Sequence, residues 1–107
     1  IGMIEHHRID GIVVYNDNTA TRVMNMIVNR GYKIPDDIGI LGFDNSKLAE
    51  IALVPLTSVK FRKKELAARA FETILRLLQG EPCELEHIIP TSLEIRESTT
   101  VYALKKG

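Results

Sequence analysis

Apolar positions along the chain alternate between short continuous runs and longer stretches at helical spacing. Ile12-Val13-Val14-Tyr15 is an unbroken apolar run rich in β-branched side chains, bounded by Asp10-Gly11 and by Asn16-Asp17-Asn18-Thr19. A run with no polar alternation predicts a strand covered on both faces, as in a parallel sheet. Ala20, Val23, Met24, Ile27 and Val28 then recur at helical spacing, and Gly31 closes that helix. After a connection carrying Pro35, Ile38–Phe43 reads as a second buried strand ending at Asp44-Asn45-Ser46. A short helix over Lys47–Leu53 and a third strand over Leu56–Val59 follow, on either side of Pro55. The longest helix is predicted from Arg62 to Leu78, with Leu66, Ala70, Phe71, Ile74, Leu77 and Leu78 on one side and Gly80-Glu81-Pro82 ending it. Two short extended segments, around Ile88-Ile89 and over Leu93–Arg96, complete the pattern, while Ile1–His7 reads as the last turns of a further helix.

Strands that alternate with helices imply an α/β fold, a mainly parallel sheet flanked by helices. Right-handed crossovers place the first two strands parallel, with their carboxyl ends at one edge. Asn16 follows the first strand and Asp44 the second, so both sit where open α/β sheets bind ligands. An amide both donates and accepts hydrogen bonds, and a carboxylate accepts from two hydroxyls at once, which suits a polyhydroxylated ligand such as a sugar. Short polar residues after strands also serve as plain turn formers and helix caps, and that reading stays open for Asn16 and Asp44. Asp17 is assigned to helix capping. Phe43 either offers its ring to a sugar face or fills the core.

Composition narrows the function classes. The 107 residues carry 14 basic and 14 acidic side chains, a net charge of zero, so no electrostatic footprint for a phosphate backbone is present. The densest basic run, Arg62-Lys63-Lys64, opens a helix and reads as solvated surface. One cysteine, Cys83, excludes an intramolecular disulfide. No apolar run approaches the roughly 20 residues needed to span a bilayer, and Ile1–Arg8 lacks the layout of a signal peptide, so no membrane contact and a cytoplasmic location are expected. Enzyme signals are poor. His6 and His7 do not share a helix face, His87 is remote in sequence, and no nucleophile stands near a base, so neither a metal, a cofactor nor catalysis is expected.

The order of the pieces carries more information than any one of them. Ile9–Asp17 resembles the strand-plus-"ND" segment in the effector domain of the lactose/galactose-repressor family of bacterial transcription regulators. Ile34-Pro35-Asp36-Asp37-Ile38 with Leu41-Gly42-Phe43-Asp44-Asn45 resembles that family's "P-x-D-(I/V)…GFD" stretch, and Pro55–Val59 its "PLT(T/S)V" strand. Lys64-Glu65-Leu66-Ala67 and Ile95-Arg96-Glu97-Ser98-Thr99 resemble its closing helix and "RES(T)" tail. Each motif is weak alone, but their order and spacing from about Ile9 to Thr99 are specific.

The resemblance implies a periplasmic-binding-protein-like type I fold, with two subdomains around a cleft that takes a sugar or sugar-like effector. It implies effector contacts from Asn16 and Asp44, with Phe43 near the ligand. Many relatives carry Gln shortly after the "PLT(T/S)V" strand; Phe61 stands there in this sequence, which implies ring contact in place of a hydrogen bond. By family pattern, about 1–55 and 85–107 belong to the second subdomain. The helix at about 60–80 packs on a first subdomain that this sequence does not contain, and DNA is bound only through a separate N-terminal domain. Leu66, Phe71, Ile74 and Leu78 would then be exposed, so a homo-oligomer is expected. Within the family, Asn16-Asp17 after Tyr15, Leu48-Ala49-Glu50 and Leu56–Val59 look somewhat like arabinose-responsive repressors. A solute-binding protein of a sugar transporter shares the fold and is the alternative; the "RES(T)" tail and "PLT(T/S)V" strand speak for a regulator.

Overall fold

The computed structural model describes residues 9–100; the expected helix end at Ile1–His7 lies outside the described residues. The elements are β1 (Gly11–Val13), α1 (Asp17–Asn29), β2 (Gly39–Phe43), α2 (Lys47–Ile51), β3 (Thr57–Phe61), α3 (Lys63–Leu78), β4 (Thr91–Glu94) and a 3-10 turn at Glu97–Thr99. The sheet order is β1-β2-β3-β4. β1 pairs parallel to β2 with Ile12 opposite Ile40, and β2 pairs parallel to β3 with Gly42 opposite Ser58. The chain divides into two compact units, one made of the residues up to Lys60 together with those from Leu93 onward, the other Phe61–Ser92.

In the first unit the core is built from Val14, Ala20, Met24, Ile27, Ile38, Ile40, Ala49 and Leu56. Ala20, Met24 and Ile27 recur at helical spacing, so α1 presents one apolar stripe to the sheet. Its start is set by Asn16, which is extended (φ −155°, ψ 164°) and accepts a 2.8 Å hydrogen bond from Thr19 N–H through Oδ1. Asp17, expected to cap, is instead the first residue of the helix and is buried. At the other end Gly31 takes φ +91°, the left-handed backbone that closes a helix at least cost when no Cβ is present. The apolar run at β1 is covered on one face only: Ile12 and Val14 turn inward, while Val13 is 78% and Tyr15 76% exposed. Period-two alternation sends these two side chains to the opposite face, over which no described element packs. Ile88-Ile89, expected to be extended, forms no strand.

The tail is pinned to the sheet by side-chain hydrogen bonds. Ser98 is fully buried; its hydroxyl donates to Ile40 O (2.6 Å) and accepts from Thr57 N–H (2.9 Å). Thr57 Oγ1 accepts from Arg96 N–H (2.8 Å) and donates to Arg96 O (3.0 Å). Ser98→Ala leaves a buried N–H and a buried C=O unpaired, so unfolding in urea should show a loss of about 1–3 kcal/mol. A loss under ~0.5 kcal/mol would mean that water or a shifted backbone replaces both bonds.

The second unit holds α3, which buries no residue. Leu66, Phe71, Ile74, Leu77 and Leu78 are all exposed, Leu78 to 81%. Its polar side carries the pairs Arg62–Glu65, Arg69–Glu65 and Arg76–Glu72 at 3.3, 3.6 and 3.2 Å. The Arg62-Lys63-Lys64 run is solvated surface. Among the described residues no helix is long and apolar enough to cross a membrane.

Candidate functional site at the carboxyl edge of the sheet

Parallel pairing brings the ends of β1, β2 and β3 to one edge, and three polar segments meet there. Val14 N–H donates to Leu41 O (2.8 Å), which carries the β1–β2 ladder up to the turn at Asn16. Asp44 N–H donates to Val59 O (2.9 Å), which extends the β2–β3 ladder past Phe43. Asn16 and Asp44 therefore follow neighbouring strands at the same edge, as chain order predicts.

The two turns are joined through Asp17. This carboxylate is 1% exposed; Oδ2 accepts from Ser46 N–H (2.7 Å) and Ser46 Oγ (3.0 Å), and Oδ1 accepts from Ser58 Oγ (2.7 Å). Ser58, itself fully buried, also accepts from Asn45 N–H (2.9 Å). Arg96 reaches the same loop from the tail, with Nη2 donating to Asn45 Oδ1 (2.8 Å) and Nη1 to Leu56 O (2.9 Å). The carboxylate also lies against Gly42 of β2. A Cβ there would fall inside the contact distance of Asp17 Oδ1 and 2.8 Å from Leu56 Cδ2.

Between these tethers the backbone is unusual. Asp44 and Asn45 both have positive φ, 119° and 51°. Asp and Asn enter that region more readily than other residues with a Cβ, yet two in succession cost conformational energy and persist only when the surroundings hold them. Strained backbone of this kind clusters at ligand sites.

Asn16, Asp44 and Phe43 thus lie on one edge of the first unit. Asn16 Oδ1 is committed to the α1 cap, which leaves Nδ2 as its donor for anything outside. Phe43, at the end of β2, is 41% exposed, so it does not fill the core. Phe61 is the last residue of β3 and begins the second unit, half-buried, with Lys63 Nζ 5.5 Å from its ring centroid. Sequence reasoning missed Asp17, Ser46, Ser58 and Arg96. The only local signal was the "ND" pair itself, which shows two polar residues but not which one turns inward.

Other polar clusters do not form a site. A surface depression of about 710 Å³ in the second unit is lined by Arg69, Glu72, Thr73, Arg76, Cys83 and His87 among others. Its guanidinium groups are already paired to Glu65 and Glu72 on the same helix, and His87 Nε2 lies 2.8 Å from Glu84 O. Glu50, exposed on α2, is held below the usual carboxylate pKa by the hydrogen bond and charge of Lys47 at 3.0 Å, a surface pair of little energetic weight. No group of three metal-ligating side chains stands together among the described residues.

Comparison with known proteins agrees with this geometry. Residues 3–99 match the periplasmic binding protein-like domain. The chain is 34% identical over 99 residues to the HTH-type transcriptional regulator DegA of Bacillus subtilis, covering 92% of this chain and 29% of that protein. A periplasmic binding protein/LacI transcriptional regulator from Alkaliphilus metalliredigens, complexed with D-xylulofuranose, superposes with a TM-score of 0.75 at 36% identity over 83% of this chain and 34% of its own. The lac repressor dimer bound to operator superposes with a TM-score of 0.79 at 26% identity, over 91% of this chain and 34% of its own. The chain spans about a third of the length of the proteins it matches.

Proposed function

The chain belongs to the periplasmic binding protein-like domain family, and from that premise we propose that it supplies one wall of the effector cleft of a bacterial transcription regulator. The carrying observation is the shared edge. Asn16 Nδ2 and the Asp44 carboxylate stand on adjacent strand ends, one a donor and the other an acceptor pair, on a backbone held rigid by Asp17, Ser58 and Arg96. Such a pair matches vicinal hydroxyls, each of which donates one hydrogen bond and accepts others. The exposed ring of Phe43 offers an apolar face beside it. The sugar bound by the Alkaliphilus relative supports the ligand class, and the regulators among its relatives favour this reading over a transport protein.

In this reading about 1–55 and 85–107 form the second subdomain of the sensor, and the exposed apolar side of α3 meets other parts of the assembly, including a second copy. Sugar binding favours one arrangement of the two subdomains and so changes the affinity of a separate DNA-binding domain for operator, which requires different ligand affinities in the two states. The chain contributes ligand contacts and no catalytic step.

Asn16 allows a clean test because its two roles use different atoms. Aspartate caps helices as well as asparagine does but has no amide donor. Asn16→Asp should leave thermal stability within about 0.5 kcal/mol of the parent, whereas Asn16→Ala should cost about 1 kcal/mol. Both should weaken sugar binding, measured by calorimetric titration of the intact protein with D-xylulose, D-glucose, L-arabinose and cellobiose. Full affinity in Asn16→Asp for whichever sugar binds the parent would remove Asn16 from the site.

A further inference from the structure

The loop at Asp44–Ser46 is held from beneath by groups that do not themselves reach the sheet edge. Three successive loop N–H groups each have an acceptor elsewhere in the fold: Asp44 on Val59 O, Asn45 on Ser58 Oγ and Ser46 on Asp17 Oδ2. The second of these has a defined polarity. A hydroxyl has one proton, and Ser58 Oγ, accepting from Asn45 N–H, directs that proton toward Asp17 Oδ1 at 2.7 Å. A carboxylate only accepts, so it fixes Ser58 in the orientation that receives Asn45. These bonds help to keep two residues with a Cβ at positive φ.

We infer that Asp17, acting through Ser58 and Ser46, is the positioning residue that holds Asp44 and Asn45 in their left-handed backbone geometry and thereby sets the affinity of the edge for its ligand. The last clause rests on the sugar-site reading above; the first does not. Asp17 is buried and is not expected to touch the ligand. Its influence is preorganisation: a loop already held in one backbone geometry loses less freedom on binding. Arg96, bonded to Asn45 Oδ1 and to Leu56 O, is the second strut of the same loop.

The test compares Asp17→Asn, Ser58→Ala and Ser58→Thr in the intact protein by two readouts: affinity for D-xylulose, D-glucose, L-arabinose and cellobiose, and residue-resolved amide hydrogen exchange. Ser58→Ala should raise exchange at Asn45 by about tenfold or more while the core amides of α1 around Met24 and Ile27 keep their protection, because only a local opening is involved. Asp17→Asn should do the same at Asn45 and Ser46, and Ser58→Thr, which restores the hydroxyl, should restore protection at Asn45. Sugar affinity should fall about tenfold in the first two variants, a change of ~1.4 kcal/mol. Exchange that rises uniformly over the unit, or stays unchanged at Asn45 and Ser46, would overturn the inference. If the parent binds a sugar and Ser58→Ala binds it equally well, the positioning role in binding is wrong while the sugar site stands. If the parent binds none of the four sugars, the sugar reading fails, and the exchange pattern alone decides whether Asp17 holds the loop.

Discussion

On the sugar-site reading proposed above, Asp44→Ala is expected to lower the affinity of the intact protein for a sugar effector by about 100-fold or more, and so abolish the response to inducer while operator binding persists. A carboxylate that accepts from two ligand hydroxyls forms charge-assisted hydrogen bonds worth about 1.5–3 kcal/mol each, so losing both removes at least ~3 kcal/mol. The fold should tolerate the change. Asp44 is tied to the sheet through its backbone N–H, 2.9 Å from Val59 O, and that bond survives any side chain. Alanine must also hold φ near 119°, where it fares worse than aspartate, so a stability loss of about 1 kcal/mol is expected beside the binding defect. Asp44→Asn separates the two effects, since asparagine tolerates positive φ but carries no charge. It should hold the backbone at less cost than alanine and still lose most of the affinity. Calorimetric titration and operator-shift assays on the same preparations measure both, and an unchanged inducer response in Asp44→Ala would count against the assignment of the site.

The second large effect is on stability, at Gly42. A Cβ at this position would overlap Asp17 Oδ1 and crowd Leu56 Cδ2 at 2.8 Å. Neither neighbour can yield cheaply. Asp17 is fixed by three hydrogen bonds and Leu56 is a fully buried core residue. Gly42→Ala must therefore displace the carboxylate, which breaks bonds to Ser46 and Ser58, or shift β2 against its neighbours. Overpacking costs about 1–3 kcal/mol, and a broken hydrogen bond adds about 1 kcal/mol, so a total loss of about 2–4 kcal/mol is expected in urea unfolding. A loss of less than ~0.5 kcal/mol would show that the hub beneath the edge is soft, and the rigid loop argued above could not then depend on it.

These two residues show how unevenly the chain discloses itself. Asp44 was legible because it stands directly after a buried apolar run, and the parallel arrangement of such runs places their ends at one edge. Gly42 is different: what makes glycine necessary there is the close approach of the protein's own carboxylate, Asp17, which lies 25 positions earlier in the chain. Asn16 and Asp17 exchange the roles that local rules suggest. Either residue type can cap a helix, so sequence reading assigned the cap to Asp17. Asn16 takes it because the helix begins at Asp17, one residue earlier than a cap at Asp17 would place it, and Asp17 is then buried against Gly42. The apolar run at Ile12–Tyr15 was read as doubly covered, yet Val13 and Tyr15 stand exposed, since a run of apolar letters states what could be buried and not what is present to bury it.

The succession of strands and helices, the parallel sheet, the family and the edge where Asn16 and Asp44 follow their strands were all legible from the residues in order. Those features follow from periodicity and motif order, which are local and survive without knowledge of any distant contact. What holds that edge in shape emerges from long-range contacts made on folding. The bonds Asp17–Ser46, Asp17–Ser58 and Asn45–Arg96 join residues 29, 41 and 51 positions apart. Each pairs side chains that look like ordinary surface or turn residues until folding takes water away from them. A buried carboxylate must then find donors wherever the fold brings them, and no spacing along the chain records which ones those are.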